Sequence, residues 1–294
     1  MSFDEKFGDP DICVPYLKAE GGICASVYVL EELIKAYNKK NNEKIIIQPE
    51  IKNLELIEPL KYKLILVDKI REKTKCKTED CWTTLDFIDM MEEKAKEEFL
   101  RFTFKPKSPQ GRYTWLNTLD IDNVIKQFQK KYTDFKYFGA MPMDFADLNY
   151  YNELNKVDFD KLKNKGIKKI GFVLNLDNHN QSGSHWVGVF VNLEKYQIYY
   201  FDSVGIKPEN RVTEFNKKVY NYFISKGVPA SEITIDYNKI EHQTGNTECG
   251  VYSIVFILQM AKGKKTFDEY CKKITRDDSI NKCRKKLFMI KKAN

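Results

Sequence analysis

The sequence predicts an α+β fold in two parts, a helical arm over residues 1–110 and a core with a central mixed sheet flanked by helices over 111–294. Three observations predict it. Apolar residues recur at helical spacing through the first hundred positions. The segment KPKSPQG at 105–111, with two prolines and a glycine, then interrupts the pattern as a linker does. Beyond it, short apolar runs bounded by polar clusters alternate with amphipathic helices, as buried strands do in an α+β core.

In the arm, Ser26–Tyr37 places Val27, Leu30, Leu33 and Ile34 on one helical face, and Tyr62–Glu72 reads as a second helix. Thr84–Arg101 is expected to be a third, because Leu85, Ile88, Met91 and Ala95 recur at a period near 3.6. In the core, Ile121–Tyr132 reads as a helix and Lys169–Leu176 as a buried strand. His185–Leu193 and Gln197–Asp202 read as a strand pair, Arg211–Lys226 as a helix, and Glu232–Tyr237 as another strand. Cys249–Met260 is a strongly apolar helix, and a basic helix spans roughly 278–291.

Composition removes several function classes. Hydrophobic residues are 42% and charged residues 31%, which excludes collagen, coiled coil and wholly disordered chains. The longest apolar stretch, Gly250–Ala261, is a dozen residues, against roughly 20 for a bilayer span, so no membrane association is expected. The polar, acidic N-terminus does not read as a signal peptide. With seven widely spaced cysteines, an odd number, free thiols in a reducing compartment are expected rather than a disulfide framework. Cys13/Cys24 and Cys76/Cys81 invite a zinc reading, but there is no C-x-x-C and no nearby histidine, so neither metal nor cofactor is expected. The net charge of +7 is concentrated in residues 262–294, where twelve Lys or Arg face four Asp or Glu. That region is either a solvated helix face or a surface for a weak nucleic-acid contact.

Only three histidines, His179, His185 and His242, are available for histidine chemistry. If the chain turns near Glu194, His185 lies nine residues before the turn and Asp202 eight after it, at the same open end of a hairpin. Cross-strand neighbours approach within about 5–8 Å, close enough for a carboxylate to orient an imidazole. A surface His–Asp pair is the alternative. Cys249 stands between the polar loop HQTGNTE and the apolar helix, so its sulfur falls at a helix N-terminus, where a thiolate is stabilised. The alternative is a buried structural cysteine. Gly250 would let a substrate backbone approach closely. Gln243, six residues before Cys249, could donate its amide to an oxyanion. His242 is a rival base, discounted because Glu241 points away from it in an extended segment.

His185-Trp186, Asp202 and Gln243-x5-Cys249-Gly250, in that order and spacing, resemble the ubiquitin-like-protein (SUMO) protease superfamily of cysteine proteases. The segments FVLNLDNHNQSGSHWVGVFVNL, IYYFDSVG and HQTGNTECGVYSIVFI resemble its virus-encoded branch, the African swine fever virus-type polyprotein proteases. The resemblance is strong from about Tyr113 to Ile290 and weaker in the arm; the viral branch has Asn where Asp202 stands. It implies a papain-like, adenain-type core. It also implies a cysteine endopeptidase with Cys249 as nucleophile, His185 as base and Asp202 as orienter. Gln243 and the Cys249 N–H would bind the oxyanion. Tyr113–Asn117 resembles the segment whose tryptophan roofs a glycine channel, which makes Trp115 and Trp186 substrate-binding candidates. The implied substrate is a viral structural polyprotein with Gly-Gly-type sites, cleaved in the virion and at the assembly site in the host cytoplasm. A deconjugase of a ubiquitin-like protein and an inactive binding relative are the alternatives. Trp115 as a plain core aromatic also stays open.

Overall fold

The computed structural model describes residues 12–17, 19–111 and 113–289; the N-terminal stretch read above and positions 290–291 of the expected last helix lie outside them. The described chain divides into two compact units, one of residues 108–285 and one of residues up to 107 together with those from 286.

The arm unit is helical. Helix α1 (Val27–Lys40) begins where the Ser26 hydroxyl accepts from the Val29 N–H, and α2 (Pro59–Thr74) carries proline in its first turn, where a missing N–H costs nothing. The expected helix over 84–101 is not continuous. A 3-10 turn (Ile88–Met90), an α-turn (Glu93–Glu97) and a π-turn (Glu98–Phe102) replace it. The break is at Met91, which is extended, and at Glu92, whose carboxylate caps the following turn by accepting from the Ala95 N–H. Ile88, Met91 and Ala95 are still buried, because successive tight turns keep a spacing of three to four residues facing inward. The expectation of free thiols is also overturned. Cys13 is bonded to Cys24 and Cys76 to Cys81, leaving Cys249, Cys271 and Cys283 as the free cysteines. Each bridge closes a short loop, a proximity that an argument from overall cysteine number does not capture.

The core unit is built on a five-stranded mixed sheet of order β1-β2-β3-β4-β5. The strands are β1 (Phe135–Pro142), β2 (Lys169–Asn175), β3 (Trp186–Asn192), β4 (Gln197–Phe201) and β5 (Thr234–Tyr237). The outer pairs β1/β2 and β4/β5 are parallel, and the inner pairs are antiparallel. On one face Phe172, Val189 and Tyr200 join a cluster with Val212, Phe215, Val219 and Phe223 of helix α4 (Asn210–Ser225). On the other lies α5 (Cys249–Lys262), with α3 (Thr118–Lys131) against β1 and α5. Thirteen of the fourteen α5 residues are buried, as an all-round apolar helix requires. Gly188 lets α5 settle this closely: a Cβ there would lie 2.6 Å from the Phe256 ring. Helices α6 (Phe267–Lys272) and α7 (Asp277–Leu287) follow. Among the described residues no helix is long and apolar enough to cross a membrane.

Candidate active site

The β3–β4 hairpin pairs Asn192 with Gln197 and Gly188 with Phe201. Counted one step further, this register sets Asp202 opposite Val187, diagonal to His185 just before β3. The side chains meet there: His185 Nε2 is 2.7 Å from Asp202 Oδ1. Asp202 is 1% exposed, and its Oδ1 also accepts from the Val204 N–H at 3.0 Å, while Oδ2 finds no hydrogen-bond partner among the described residues. Asn238 clasps the Asp202 backbone, accepting from its N–H at 2.8 Å and donating to its carbonyl at 2.6 Å.

With Nε2 turned to the carboxylate, the imidazole has Nδ1 left for a second partner. The Cys249 side chain is the other group that acts on His185, and it favours the charged ring as Asp202 does. Burial opposes the imidazolium, yet the hydrogen bonds and negative charges of Asp202 and Cys249 outweigh it and hold His185 up at about 9. Cys249 is the first residue of α5, so backbone N–H groups without helical acceptors surround it. Ring and carboxylate are directly hydrogen-bonded, and Cys249 acts on the same ring, which brings the groups of a nucleophile, a base and an orienter together.

Gln243 is buried and its amide is fully oriented. Its Oε1 accepts from Ser203 Oγ at 2.6 Å, and its Nε2 donates to the Gly245 carbonyl at 3.0 Å, leaving one N–H uncommitted. The loop it occupies is pinned by Asp277, whose carboxylate accepts from the Thr244 and Gly245 N–H groups. The other two histidines are elsewhere. His242 is buried, its Nδ1 accepts from the Thr275 N–H at 3.2 Å, and burial with Arg276 nearby pushes its pKa down. His179 is exposed and pairs with Asp144 at 2.5 Å.

Trp115 and Trp186 both line a cavity of about 390 Å³ together with Asn175, Asp177, His179 and Gly183. Trp186 is buried, and its indole N–H donates to the Leu116 carbonyl at 2.8 Å; Trp115 is 39% exposed. The space at Gly250 differs from expectation. Leu116 fills it, with its Cβ 3.0 Å from where a Cβ at 250 would stand, so the glycine seats the Trp115 segment rather than a substrate. Among the described residues no group of three or more His, Cys, Asp or Glu could hold a metal ion.

Sequence reading missed Ser203, Asn238 and Arg284. The guanidinium of Arg284 is buried and donates to the carbonyls of Thr114 and Thr247. A signal for it existed, since Ile280, Cys283, Arg284 and Leu287 recur at the spacing of one inward face of α7.

Residues 89–294, more than half of the chain, match the model of the Ulp1 protease family, C-terminal catalytic domain. The chain belongs to the Ulp1 protease family. It is a cysteine protease of that family. Among similar proteins is a thiol protease homologue of Acanthamoeba polyphaga mimivirus, 30% identical over 286 residues, which cover 95% of this chain and 93% of that one. A cysteine protease of African swine fever virus is 27% identical over 75% of this chain and 85% of its own length. The crystal structure of the African swine fever virus pS273R protease covers 98% of this chain and 100% of its own, with a TM-score of 0.64 at 22% identity. That likeness extends the shared fold to the helical arm. Ulp1-type enzymes act on protein substrates.

Proposed function

We propose that this Ulp1-family protease is an endopeptidase that cleaves after Gly-Gly-type sites in viral structural polyproteins, in the virion and at the cytoplasmic assembly site. The single observation that carries the chemistry is the chain Cys249–His185–Asp202, with Nε2 of the ring on the carboxylate. In this reading the Cys249 thiolate attacks the scissile carbonyl, and the negative oxygen is received by the Cys249 N–H and the uncommitted Gln243 N–H. His185 protonates the departing amine, and water, deprotonated by the same ring, then hydrolyses the thioester.

The Gly-Gly part is supported by the two indoles beside the 390 Å³ cavity. Aromatic rings pressed on an extended backbone leave no room for a Cβ. The viral part is supported by the mimivirus and African swine fever virus relatives. Some African swine fever virus relatives carry the name SUMO-1 cysteine protease, which favours a second reading, processing of a ubiquitin-like protein. The exposed Lys264, Lys265, Lys273 and Lys282 support a weak, salt-dependent contact with nucleic acid, whereas Arg284 is turned inward.

Mass-spectrometric mapping of termini after incubation with a virion polyprotein and, in parallel, a SUMO fusion tests the proposal, with Cys249→Ser as control. New C-termini ending in Gly-Gly on the polyprotein are expected. Cleavage of the SUMO fusion alone supports the second reading, and termini ending in Leu or Phe overturn both. Trp115→Ala is expected to relax glycine preference while lowering overall activity.

A further inference from the structure

Residues 113–117 form no regular element, yet they carry Trp115, whose ring is only partly packed. The backbone on either side is what is held. The Leu116 carbonyl accepts from Trp186 Nε1 at 2.8 Å, and the Thr114 carbonyl accepts from Arg284 Nη1 at 2.9 Å. Arg284 is 7% exposed, and two more of its nitrogens are committed. Nη2 donates at 2.8 Å to the carbonyl of Thr247, two residues before Cys249, and Nε donates at 2.9 Å to Asn281 Oδ1. Asn281 in turn donates at 3.0 Å to the carboxylate of Glu248, the residue that precedes Cys249. One planar cation thereby ties the Trp115 segment to the loop that delivers Cys249.

A buried guanidinium is costly unless its donors are used, and this one directs two of them at carbonyls on separate segments. Lysine offers a single ammonium point and does not reproduce that fork. Discrimination against one methyl group requires the roof of a channel to stay in place within about an ångström relative to the nucleophile.

We propose that Arg284 is a positioning residue that fixes the Trp115 indole relative to Cys249 and so sets how strictly glycine is required before the scissile bond. The selectivity part rests on the glycine-channel reading above. Arg284 touches no substrate; it acts through the backbone at 114 and 247.

Two measurements on the full chain test this in Arg284→Met, which keeps most of the volume, and Arg284→Lys, which keeps the charge. The first is amide hydrogen exchange, independent of any substrate. Exchange at 113–117 and 245–249 is expected to quicken at least tenfold in both variants, with β2 and β3 unchanged. The second is the ratio of kcat/KM for paired peptides with Gly or Ala before the scissile bond. The ratio is expected to fall at least tenfold, more for Met than for Lys. A purely structural role would lower both substrates in parallel and leave the ratio alone. Unchanged exchange at 113–117 overturns the clamp whatever the peptides show. Faster exchange with an unchanged ratio overturns the selectivity role. A wild-type enzyme that accepts Ala as readily as Gly overturns the channel reading and the selectivity role with it, and the exchange result identifies which step failed. If the Met variant does not fold, the Lys variant carries both measurements.

Discussion

Asp202→Asn separates the charge of the orienting residue from its shape. Asp202 Oδ1 accepts from His185 Nε2 and the Val204 N–H, and an asparagine oxygen can accept both. Its amide nitrogen then takes the place of Oδ2, where no hydrogen-bond partner is found among the described residues. The first consequence concerns His185. Its pKa is held at about 9 against burial by Asp202 and Cys249 together. Raised from 6.5, that corresponds to roughly 3 kcal/mol in favour of the imidazolium. Removing the carboxylate charge is expected to bring the alkaline limb of kcat/KM down by about 1–2 pH units. The second concerns rate. A charge-assisted hydrogen bond is worth about 1 kcal/mol more than a neutral one, so kcat/KM at neutral pH is expected to fall roughly 5–10-fold. Asp202→Ala, which also frees the ring, is expected to cost at least ten times more. A pH–rate profile from 5 to 10 on a Gly-Gly fluorogenic peptide measures both. An alkaline limb still near pH 9 in the Asn variant, or an Asn variant as inactive as the Ala variant, refutes the reasoning. Stability follows the same linkage. Because the folded pKa of His185 is raised, its contribution is full below about pH 6.5 and is lost as pH rises through about 9. Urea midpoints of the wild type are therefore expected to drop over that window, and those of the Asn variant less.

Cys249→Ser and His185→Ala are each expected to abolish cleavage with thermal unfolding little changed; near-wild-type turnover in His185→Ala alongside loss in His242→Ala would reassign the base. Gly250→Ala is expected to destabilise by about 1–3 kcal/mol, since its Cβ meets Leu116 at 3.0 Å, and Leu116→Ala is expected to recover part of that in a double-mutant cycle by urea unfolding. Iodoacetamide on the native protein is expected to label Cys249 before Cys271, whose pKa burial and the nearby Asp236 and Asp268 push up to about 12. In denaturant without reductant, mass spectrometry is expected to count three alkylated cysteines, and seven after reduction.

Much of the core was legible because its signals are local. The β3–β4 register follows from counting outward from the turn, since side-chain period and pairing in a hairpin are fixed by the chain itself. Strand β1 is not legible in the sequence. FKYFGAMP contains Gly139 and ends at Pro142, and its register shifts between Tyr137 and Ala140, so it lacks the clean alternation that marks a strand. The break at Met91–Glu92 was hidden because burial at three-to-four spacing survives a change of helix type.

The sequence by itself determined which chemistry the core presents. His185, Asp202 and Cys249 owe their positions to a hairpin end and a helix start, features written in short stretches of chain. Only the tertiary structure decided what surrounds that chemistry. Leu116 in the space at Gly250, Ser203 behind Gln243, the cysteine pairings in the arm, and Arg284 between Thr114 and Thr247 all join residues brought together by packing. The physical reason is one of range. Propensity, capping and alternation act over a few residues, whereas a buried donor finds its acceptor only after the whole unit has closed around it.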